Sequence, residues 1–259
     1  MTIPSARVDR DNWDRHWESY AAEAERNPAQ QYRRQLVIKL LARYGCSAAS
    51  RLLDIGSGQG DLASDLTRAF PQADIAGIEL SAAGVAIASH KVPGARFFQR
   101  DLLQSCNDLG PLQSWAAYAV CSEVLEHLDD PGLFLDHAAE YLAPGGVLVV
   151  TVPGGPKSQF DLHIGHRRHY NPHLLRELLE RRGFVVDLAT TAGFPFFNLY
   201  RLVVILRGRR LITDVDSKSR NWSAVLAGAV MMLFRGLFRM NLLGTKLGWQ
   251  TIAVARKEV

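Results

Sequence analysis

The sequence predicts an α/β protein whose sheet is open and mostly parallel, with helices on both faces. Two observations predict this class. Short apolar runs alternate with helical patterns along most of the chain, which is the order that builds a parallel sheet with crossover helices. The first apolar run also ends in a glycine-rich turn that leads directly into a helical pattern, as in nucleotide-binding α/β sheets. The 259 residues, 47% hydrophobic and 22% charged, fit one globular domain.

The elements of the core follow one another along the chain. Apolar runs predict strands near 51–56, 74–79, 95–99, 116–121, 146–152, 184–190 and 249–255. Helical patterns lie near 60–70, 81–90, 131–142 and 172–182. Asn171 and Pro172 supply a cap and a favourable first residue for the last of these helices.

Two helical segments precede this core. Residues 9–30 carry Trp13, Trp17 and Tyr20 at helical spacing among charged residues. This spacing predicts a helix that either forms a lid over a nucleotide site or packs against the domain, and the sequence leaves both interpretations open. Residues 31–44 predict a helix with one apolar face, which Gly45 ends.

The glycine turn narrows the class of ligand. Its glycines are Gly56, Gly58 and Gly60, whereas a dinucleotide site carries its third glycine three positions after the second. Asp54 precedes the turn. A carboxylate there repels a pyrophosphate and attracts a ligand that carries an ammonium group.

Two further acids follow the next two predicted strands. Glu79 ends the second strand, where a carboxylate accepts hydrogen bonds from both ribose hydroxyls. Asp101 follows the third strand, where an acid meets an adenine amino group. The ligand that these residues predict is therefore an adenosine derivative with a positive charge.

With these residues in place, the chain resembles the class I S-adenosylmethionine-dependent methyltransferases, and small-molecule and quinone-biosynthesis enzymes in particular. The resemblance covers roughly residues 36 to 190 and the last strand. The segments that carry it are 52–60, 77–81, 100–102, 121–128 and 142–150. It implies a Rossmann-like sheet of seven strands, one of them antiparallel, with S-adenosyl-L-methionine as the cofactor and S-adenosyl-L-homocysteine as the product. The implied cofactor-binding residues are Asp54, Gly56, Ser57, Gly58, Gly60, Glu79, Leu80, Asp101, Leu102 and Glu123.

The last two strands form a hairpin in the usual family member, but here about sixty residues separate them. The sequence thus predicts a single domain over 1–259. It consists of N-terminal helices over 1–45, a cofactor-binding core over 46–191, a helical insertion over 192–247 and a last strand over 248–259. The insertion contains apolar runs at 194–206 and 224–234, and the second is shorter than the about 20 residues of a membrane span. Three roles stay open for it: an acceptor cap, a contact with a bilayer interface through 193–243, or a homodimer contact.

The residues of the acceptor site are expected after the fourth and fifth strands, because ligands bind at the carboxyl ends of parallel strands. A hydroxyl acceptor needs a base, and histidine is the usual one near neutral pH. The candidate bases are His127, His166, His169 and Tyr170. The candidate substrate-binding residues are His163, Arg167 and Arg168. A purely structural role in the loop is the alternative for each of them.

The histidines of this loop also raise the question of a metal. His163, His166 and His169 recur at intervals of three, but the segment is interrupted by glycine and no cysteine is near. We therefore predict that no metal binds.

Charge and cysteine content bear on partners and compartment. The net charge is +4, and the basic residues concentrate in the second half of the chain. They favour an anionic or lipid-like acceptor or an anionic membrane surface, unless they are ordinary solvated charges. Cys46, Cys106 and Cys121 form no C-x-x-C pair, and the N-terminus lacks an apolar signal core. A cytoplasmic enzyme is expected, with peripheral membrane contact left open.

These features predict in-line methyl transfer from S-adenosyl-L-methionine to a small molecule, at a hydroxyl oxygen, with a histidine base. An RNA or protein methyltransferase is the first alternative. The chain has neither an Asn-Pro-Pro-Tyr motif nor an appended RNA-binding module, so no nucleic-acid partner is expected. A non-catalytic, regulatory binder of the cofactor is the second alternative.

Overall fold

The structure, a computed structural model, describes residues 13, 14, 17, 27–104, 109–216 and 222–258. For residues 207–227 and 229 the description is limited to the backbone of the helices. Tyr20 and Cys106, which the sequence singled out, lie outside the described residues. Among the helices described, none combines the length and the apolar character that crossing a bilayer requires.

Up to residue 194, strands and helices largely alternate along the described chain, as the sequence predicts; the exceptions are the 3-10 turn between the third and fourth strands and the two helices between the fifth and sixth strands. The first half consists of α1 (Pro28–Arg43), β1 (Arg51–Ile55), α2 (Asp61–Ala69), β2 (Asp74–Glu79), α3 (Ala82–Lys91), β3 (Arg96–Gln99) and β4 (Ala116–Ser122). The second half consists of α4 (Pro131–Tyr141), β5 (Leu142–Pro153), α5 (Gln159–His163), α6 (Pro172–Glu180), β6 (Phe184–Phe194), α7 (Phe196–Asp216), α8 (Trp222–Leu237), β7 (Leu242–Thr245) and β8 (Gln250–Lys257). Short 3-10 turns lie at Gly110–Leu112, Leu125–His127 and Phe238–Met240.

The strands form one sheet in the order β3-β2-β1-β4-β5-β8-β6-β7. β1 to β5 pair in parallel, and β8 lies antiparallel between β5 and β6. The chain leaves β1 for β2 on one side and later returns to β4 on its other side. The strand order therefore reverses at β1, and the crevice outside the carboxyl ends of β1 and β4 is where such sheets bind ligands.

The prediction of seven strands with one antiparallel strand was wrong by one strand. The described part of the sheet contains eight strands, because Leu242–Thr245 pairs antiparallel with the outer edge of β6. The chain returns from the insertion along this edge, where the backbone groups of β6 have no other strand to pair with. β8, the strand that the sequence predicts as the seventh, runs antiparallel as expected.

Helices cover both faces of the sheet, as predicted. Leu52 and Leu53 on β1 point to opposite faces, as successive strand residues must, and each belongs to a separate buried cluster. One cluster includes α4 and α6 residues such as Leu135 and Leu179, and the other includes α1 and α2 residues such as Leu40 and Leu66.

The segment between β6 and β8 is held to α1 by aromatic side chains. Phe197 on α7, Phe234 on α8 and Phe238 are buried together, with Tyr32 of α1 and Tyr200 packed against them. Rings at 5 to 6 Å add specific edge and offset contacts to the burial of area. α7 and α8 are therefore fixed to the domain by one face each.

Candidate active site

The turn after β1 requires its glycines. Gly56, Gly58 and Gly60 all have positive φ angles, of 75°, 52° and 80°, a region that side chains with a Cβ rarely adopt. A Cβ at Gly58 would lie 2.6 Å from the ring of Trp17, and one at Gly56 would collide with Val124. The backbone of this turn is therefore open to close approach by a neighbouring group.

Two carboxylates lie at the ends of the adjoining strands. Glu79 is buried and accepts hydrogen bonds from the backbone N–H groups of Gly58 (2.8 Å) and Ser81 (2.9 Å). Burial raises the pKa of Glu79, although these hydrogen bonds oppose the shift. Asp101 accepts hydrogen bonds from the N–H of Leu103 and the amide of Gln104, both at 2.9 Å.

A third carboxylate lies beneath the glycine turn. Asp54 is buried, and its Oδ2 has no hydrogen-bond partner among the described residues; the same holds for Ser57 Oγ. Burial, together with the charges of Glu79 and Asp61, raises the pKa of Asp54 to about 7. Asp54 lies on β1 and Ser57 in the turn, and neither lines the cavity described next.

A cavity lies over the carboxyl ends of β1, β2 and β4. Its lining unites the predicted cofactor residues Gly56, Glu79, Leu80, Asp101, Leu102 and Glu123 with His127 and Arg167. Trp13 and Trp17 also line it. The predicted cofactor residues Asp54, Ser57, Gly58 and Gly60 do not line it; they shape the turn beside it.

The described residues of the N-terminal segment lie over this cavity. The Trp17 ring covers Gly58, and the Trp13 ring meets the His127 ring edge-on at 4.9 Å. Between them, Asp14 accepts hydrogen bonds from Ser81 Oγ (2.5 Å) and from the N–H of Ala83 (3.1 Å). This placement favours a lid over an ordinary packing helix.

Glu123 takes part in a buried polar network behind the cavity. It has a positive φ of 58°, and its carboxylate lies 2.9 Å from Arg33 Nε of α1. It also accepts hydrogen bonds from Gln250 Nε2 (2.7 Å) and Thr151 Oγ1 (3.1 Å). Glu123 thus lines the cavity while its charge is balanced by Arg33.

Three histidines form a row that begins at the cavity. The rings of His127 and His166 are perpendicular at 4.7 Å, and His166 Nδ1 lies 3.3 Å from His169 Nε2. His169 Nδ1 lies 3.0 Å from the carbonyl oxygen of Gly155, which only accepts, so Nδ1 carries the proton. His169 Nε2 then accepts from His166 Nδ1, which leaves the lone pair of His166 on Nε2.

A buried carboxyl group lies between two of these histidines. Glu126 is fully buried, and neither of its oxygens has a hydrogen-bond partner among the described residues. Its Oε1 lies 3.9 Å from His127 Nε2 and 4.0 Å from His166 Nε2. Burial raises the pKa of Glu126 well above its usual range, and Glu123 adds repulsion. Burial likewise lowers the pKa of His166 to about 2, with His127 contributing.

The row ends at a buried ion pair that joins two helices. Arg201 of α7 donates to both oxygens of Asp161 of α5, at 3.0 and 2.8 Å, and Asp161 also accepts from the N–H and hydroxyl of Ser158. Burial alone would raise the pKa of Asp161, but the hydrogen bonds and charge of Arg201 lower it to about 2. The loop before α6 is thereby fixed to the insertion.

A comparison with known protein families identifies the family. Residues 29–189 match the family described as "Methyltransferase domain". This match covers more than half of the chain. The chain belongs to this methyltransferase family. The family expected from the sequence is thereby confirmed.

Curated relatives of the methyltransferase match less than half of its chain. It is 34% identical over 119 residues to a trans-aconitate 2-methyltransferase of Deinococcus radiodurans, which is 46% of this chain and 42% of that protein. It is also 34% identical over 119 residues to a ubiquinone biosynthesis O-methyltransferase of Nitrobacter winogradskyi, covering 46% of this chain and 44% of that protein. The matches therefore span less than half the length of these relatives.

Solved structures share the fold of the methyltransferase at low identity. A putative sarcosine dimethylglycine methyltransferase from Galdieria sulphuraria has a TM-score of 0.62 at 14% identity, over 96% of this chain and 99% of that one. The Haemonchus contortus phosphoethanolamine N-methyltransferase 2, solved with S-adenosyl-L-methionine, has a TM-score of 0.55 at 18% identity, over 85% of this chain and 52% of that one.

The methyltransferase keeps several predicted acceptor residues away from the cavity. Tyr170, a candidate base, is buried in the core, where its hydroxyl donates to the carbonyl of Leu125 at 3.3 Å. Burial raises its pKa to about 12. His163, predicted to bind substrate, is exposed at the end of α5. Arg168 donates to the carbonyl of Asp129 and does not line the cavity.

Among the predicted acceptor-side residues, His127 and Arg167 do line the cavity. Arg167 donates to the carbonyl of His127 and pairs with Asp129 at 3.0 Å, so it fixes the turn that presents His127. His166 and His169 stand behind His127 in the row described above. The sequence reasoning missed Glu126 and Arg201 as site residues. Glu126 could have been found because it directly precedes the predicted base His127. No local sequence pattern marks Arg201 as a site residue.

Two sets of side chains bring three ligand atoms within 4.8 Å of one another: Glu126, His127 and His166, and Asp161, His166 and His169. Arg201 already occupies both oxygens of Asp161 in the second set. In the first set, separations of 3.9 and 4.0 Å exceed the ~3.4 Å between neighbouring ligands of tetrahedral zinc. The absence of a metal stays a prediction.

Proposed function

We propose that this methyltransferase transfers the methyl group of S-adenosyl-L-methionine to a hydroxyl oxygen of a small, anionic acceptor. The observation that carries the proposal is the shared cavity, which joins the acids Glu79 and Asp101 to His127 and Arg167. Donor-binding and proton-accepting groups thus face the same space.

The residues present fit the cofactor. The glycine turn admits close approach, and Glu79 and Asp101 keep acceptor lone pairs for ribose hydroxyls and an adenine amino group. Asp54, whose Oδ2 is unpartnered in the described structure, ionises with a pKa of about 7, and its carboxylate beneath the turn suits the ammonium group of the cofactor. When bound, the cofactor supplies an activated methyl group.

His127 is the base in this proposal. Its ring lines the cavity and is held between Trp13 and His166. As the acceptor oxygen forms its bond to the methyl carbon, the hydroxyl proton passes to the imidazole of His127. The buried carboxyl group of Glu126, whose Oε1 lies 3.9 Å from His127 Nε2, then faces the imidazolium and stabilises its positive charge.

Two arginines favour an anionic acceptor. Arg100 and Arg167 both line the cavity, and guanidinium groups bind carboxylates and phosphates with directed hydrogen bonds. The curated relatives named above act on trans-aconitate and in ubiquinone biosynthesis. Methylation of a carboxylate oxygen is the second candidate, because the same arginines and the similarity to trans-aconitate 2-methyltransferases favour it. A carboxylate is already ionised and needs no base.

One experiment tests both candidates, methylation of a hydroxyl oxygen and methylation of a carboxylate oxygen. The protein is incubated with S-adenosyl-L-methionine labelled in the methyl group and with a small-molecule extract, an RNA fraction and a protein fraction. We expect label in the small-molecule fraction alone, in a product that survives mild alkali. Release of labelled methanol by alkali identifies a methyl ester instead, since ethers resist hydrolysis. Label confined to RNA or protein, or no binding of the cofactor in calorimetry, would overturn the proposal.

A further inference from the structure

The segment from 195 to 248 exposes aliphatic side chains that the core does not use. On α7, Leu199, Leu202, Val203 and Leu206 are all exposed, and Leu206 is 77% exposed. Their spacing of i, i+3, i+4 and i+7 places them along one face of the helix. This apolar face therefore points into solvent instead of toward the sheet.

The helix α8 likewise has one buried side and one exposed apolar side. Phe234 and Phe238 anchor α8 to the aromatic cluster, whereas Met232 and Leu233 are 72% and 61% exposed. Exposed apolar side chains continue beyond the helix, at Met240, Leu242, Leu243 and Leu247. So many exposed apolar side chains in one segment are unusual on a monomer surface and mark an interaction site.

The same segment concentrates positive charge. It contains nine Lys or Arg residues and two Asp residues, a net charge of +7, against +4 for the whole chain. Arg201 is bound by Asp161, but Arg235, Arg239 and Lys246 are exposed among the aliphatic residues. The remainder of the chain is therefore slightly acidic, and the positive charge is concentrated in this segment of the sequence.

We propose that the exposed aliphatic and basic side chains of 195–248 form a docking surface for an anionic lipid bilayer. The bilayer interface is the partner that offers acyl chains and negative headgroups together. Since no described helix can cross a bilayer, the helices lie in the interface. α7 is tied to the acceptor side of the cavity through Arg201 and Asp161, so docking holds the methyltransferase with that side fixed relative to the lipid.

The other occupants fit less well. A second copy would bring the same +7 segment against itself, and like charges across an interface oppose association. A nucleic acid matches the charge but offers nothing to the exposed Leu and Met side chains. A cap over the acceptor pocket is disfavoured because, in the described part of the chain, no residue that lines the cavity comes from this segment.

Flotation of the full-length protein with liposomes tests the proposal. Vesicles of neutral phosphatidylcholine are compared with vesicles that also contain phosphatidylglycerol, at low and high salt. We expect binding to the anionic vesicles alone, weakened by salt. The double substitutions Leu206→Glu/Met232→Glu and Arg235→Glu/Arg239→Glu are each expected to lower partitioning by at least ~tenfold. Leu174→Glu, at an exposed leucine on α6, is the matched control and is expected to float like the wild type.

Several results of this experiment would contradict the proposal. Equal binding of the wild type to neutral and anionic vesicles, or no binding at all, would overturn it. Flotation of both double variants at wild-type levels would also overturn it. A dimer in light scattering that Leu206→Glu/Met232→Glu dissociates, without lipid binding, would assign the surface to a second copy. Thermal unfolding and cofactor binding of the variants confirm that they are folded, and the methylation assay tests the proposed function separately.

Discussion

The two sides of the cavity are built in opposite ways. On the donor side, Glu79 and Asp101 are each hydrogen-bonded to backbone N–H groups near them in the sequence. On the acceptor side, Glu126 is buried without a hydrogen-bond partner in the described structure, and its neighbours come from distant segments. These local hydrogen bonds hold the carboxylates of Glu79 and Asp101 in place before any ligand binds, whereas Asp54 and Ser57 beneath the turn keep unpartnered oxygens in the described structure. On the acceptor side, a buried polar group without a hydrogen-bond partner lowers the stability of the fold, and the same group is available to take part in the chemistry.

The largest effect is expected at the acceptor side, from His127→Gln. Loss of a general base lowers the methyl-transfer rate by ~10²- to 10⁴-fold. Single-turnover kinetics measure the rate, and calorimetry is expected to show little change in cofactor affinity. His163→Gln, at an exposed histidine of α5, is the control and should leave the rate unchanged. A His127→Gln variant with the wild-type rate would mean that the acceptor oxygen needs no base, as for a carboxylate.

The next effect concerns the ion pair that fixes the acceptor side. Arg201→Met leaves the buried Asp161 carboxylate without its cation, which should lower the free energy of unfolding by ~3–5 kcal/mol. Urea denaturation measures it. Arg256→Met removes an exposed partner of Asp187 and should cost less than ~1 kcal/mol. Equal losses in the two variants would show that the Asp161–Arg201 pair is no better than a surface pair.

A smaller effect is expected on the donor side, from Glu79→Gln. An amide accepts at one atom only, so one backbone hydrogen bond of the glycine turn or one ribose contact is lost. Hydrogen bonds to a charged group contribute ~1.5–3 kcal/mol, so cofactor affinity should fall by ~10- to 100-fold. Calorimetry with S-adenosyl-L-methionine checks this. Asp74→Asn, an exposed acid at the start of the same strand, should bind like the wild type; unchanged affinity in Glu79→Gln would remove Glu79 from the cofactor site.

The same contrast explains how far the sequence could predict this molecule. The core strands and helices, and the acids at the strand ends, follow from short-range patterns: apolar runs, glycines and the residue that ends each strand. β7 was missed because four residues with a glycine, 242–245, carry no periodic signal. Glu126 was missed as a site residue because its burial depends on the loop around His166, forty residues away. Arg201 could not be found, since its partner Asp161 is fixed only when α5 and α7 pack.

A further effect, confined to a pH window, follows from Asp54, which lies beneath the donor turn. Its pKa rises from 3.8 to about 7 on folding, chiefly through burial. Between these values the folded protein binds one more proton than the unfolded chain. The free energy of unfolding that Asp54 contributes is therefore complete below pH 3.8 and is lost as the pH rises toward 7, by ~1.4 kcal/mol per unit.

Asp54→Asn removes this dependence, because the amide does not titrate. The unfolding free energy of Asp54→Asn, relative to that of the wild type, should thus increase from pH 5 to pH 7 and level off above it. Urea unfolding without cofactor at pH 5, 6, 7 and 8 measures the difference, with Asp74→Asn as the exposed control. Parallel curves for the Asp54 variant and the wild type would mean that Asp54 is ionised throughout, with a partner for Oδ2 that offsets its burial. The donor side would then be fully satisfied, and the contrast with Glu126 would be sharper still.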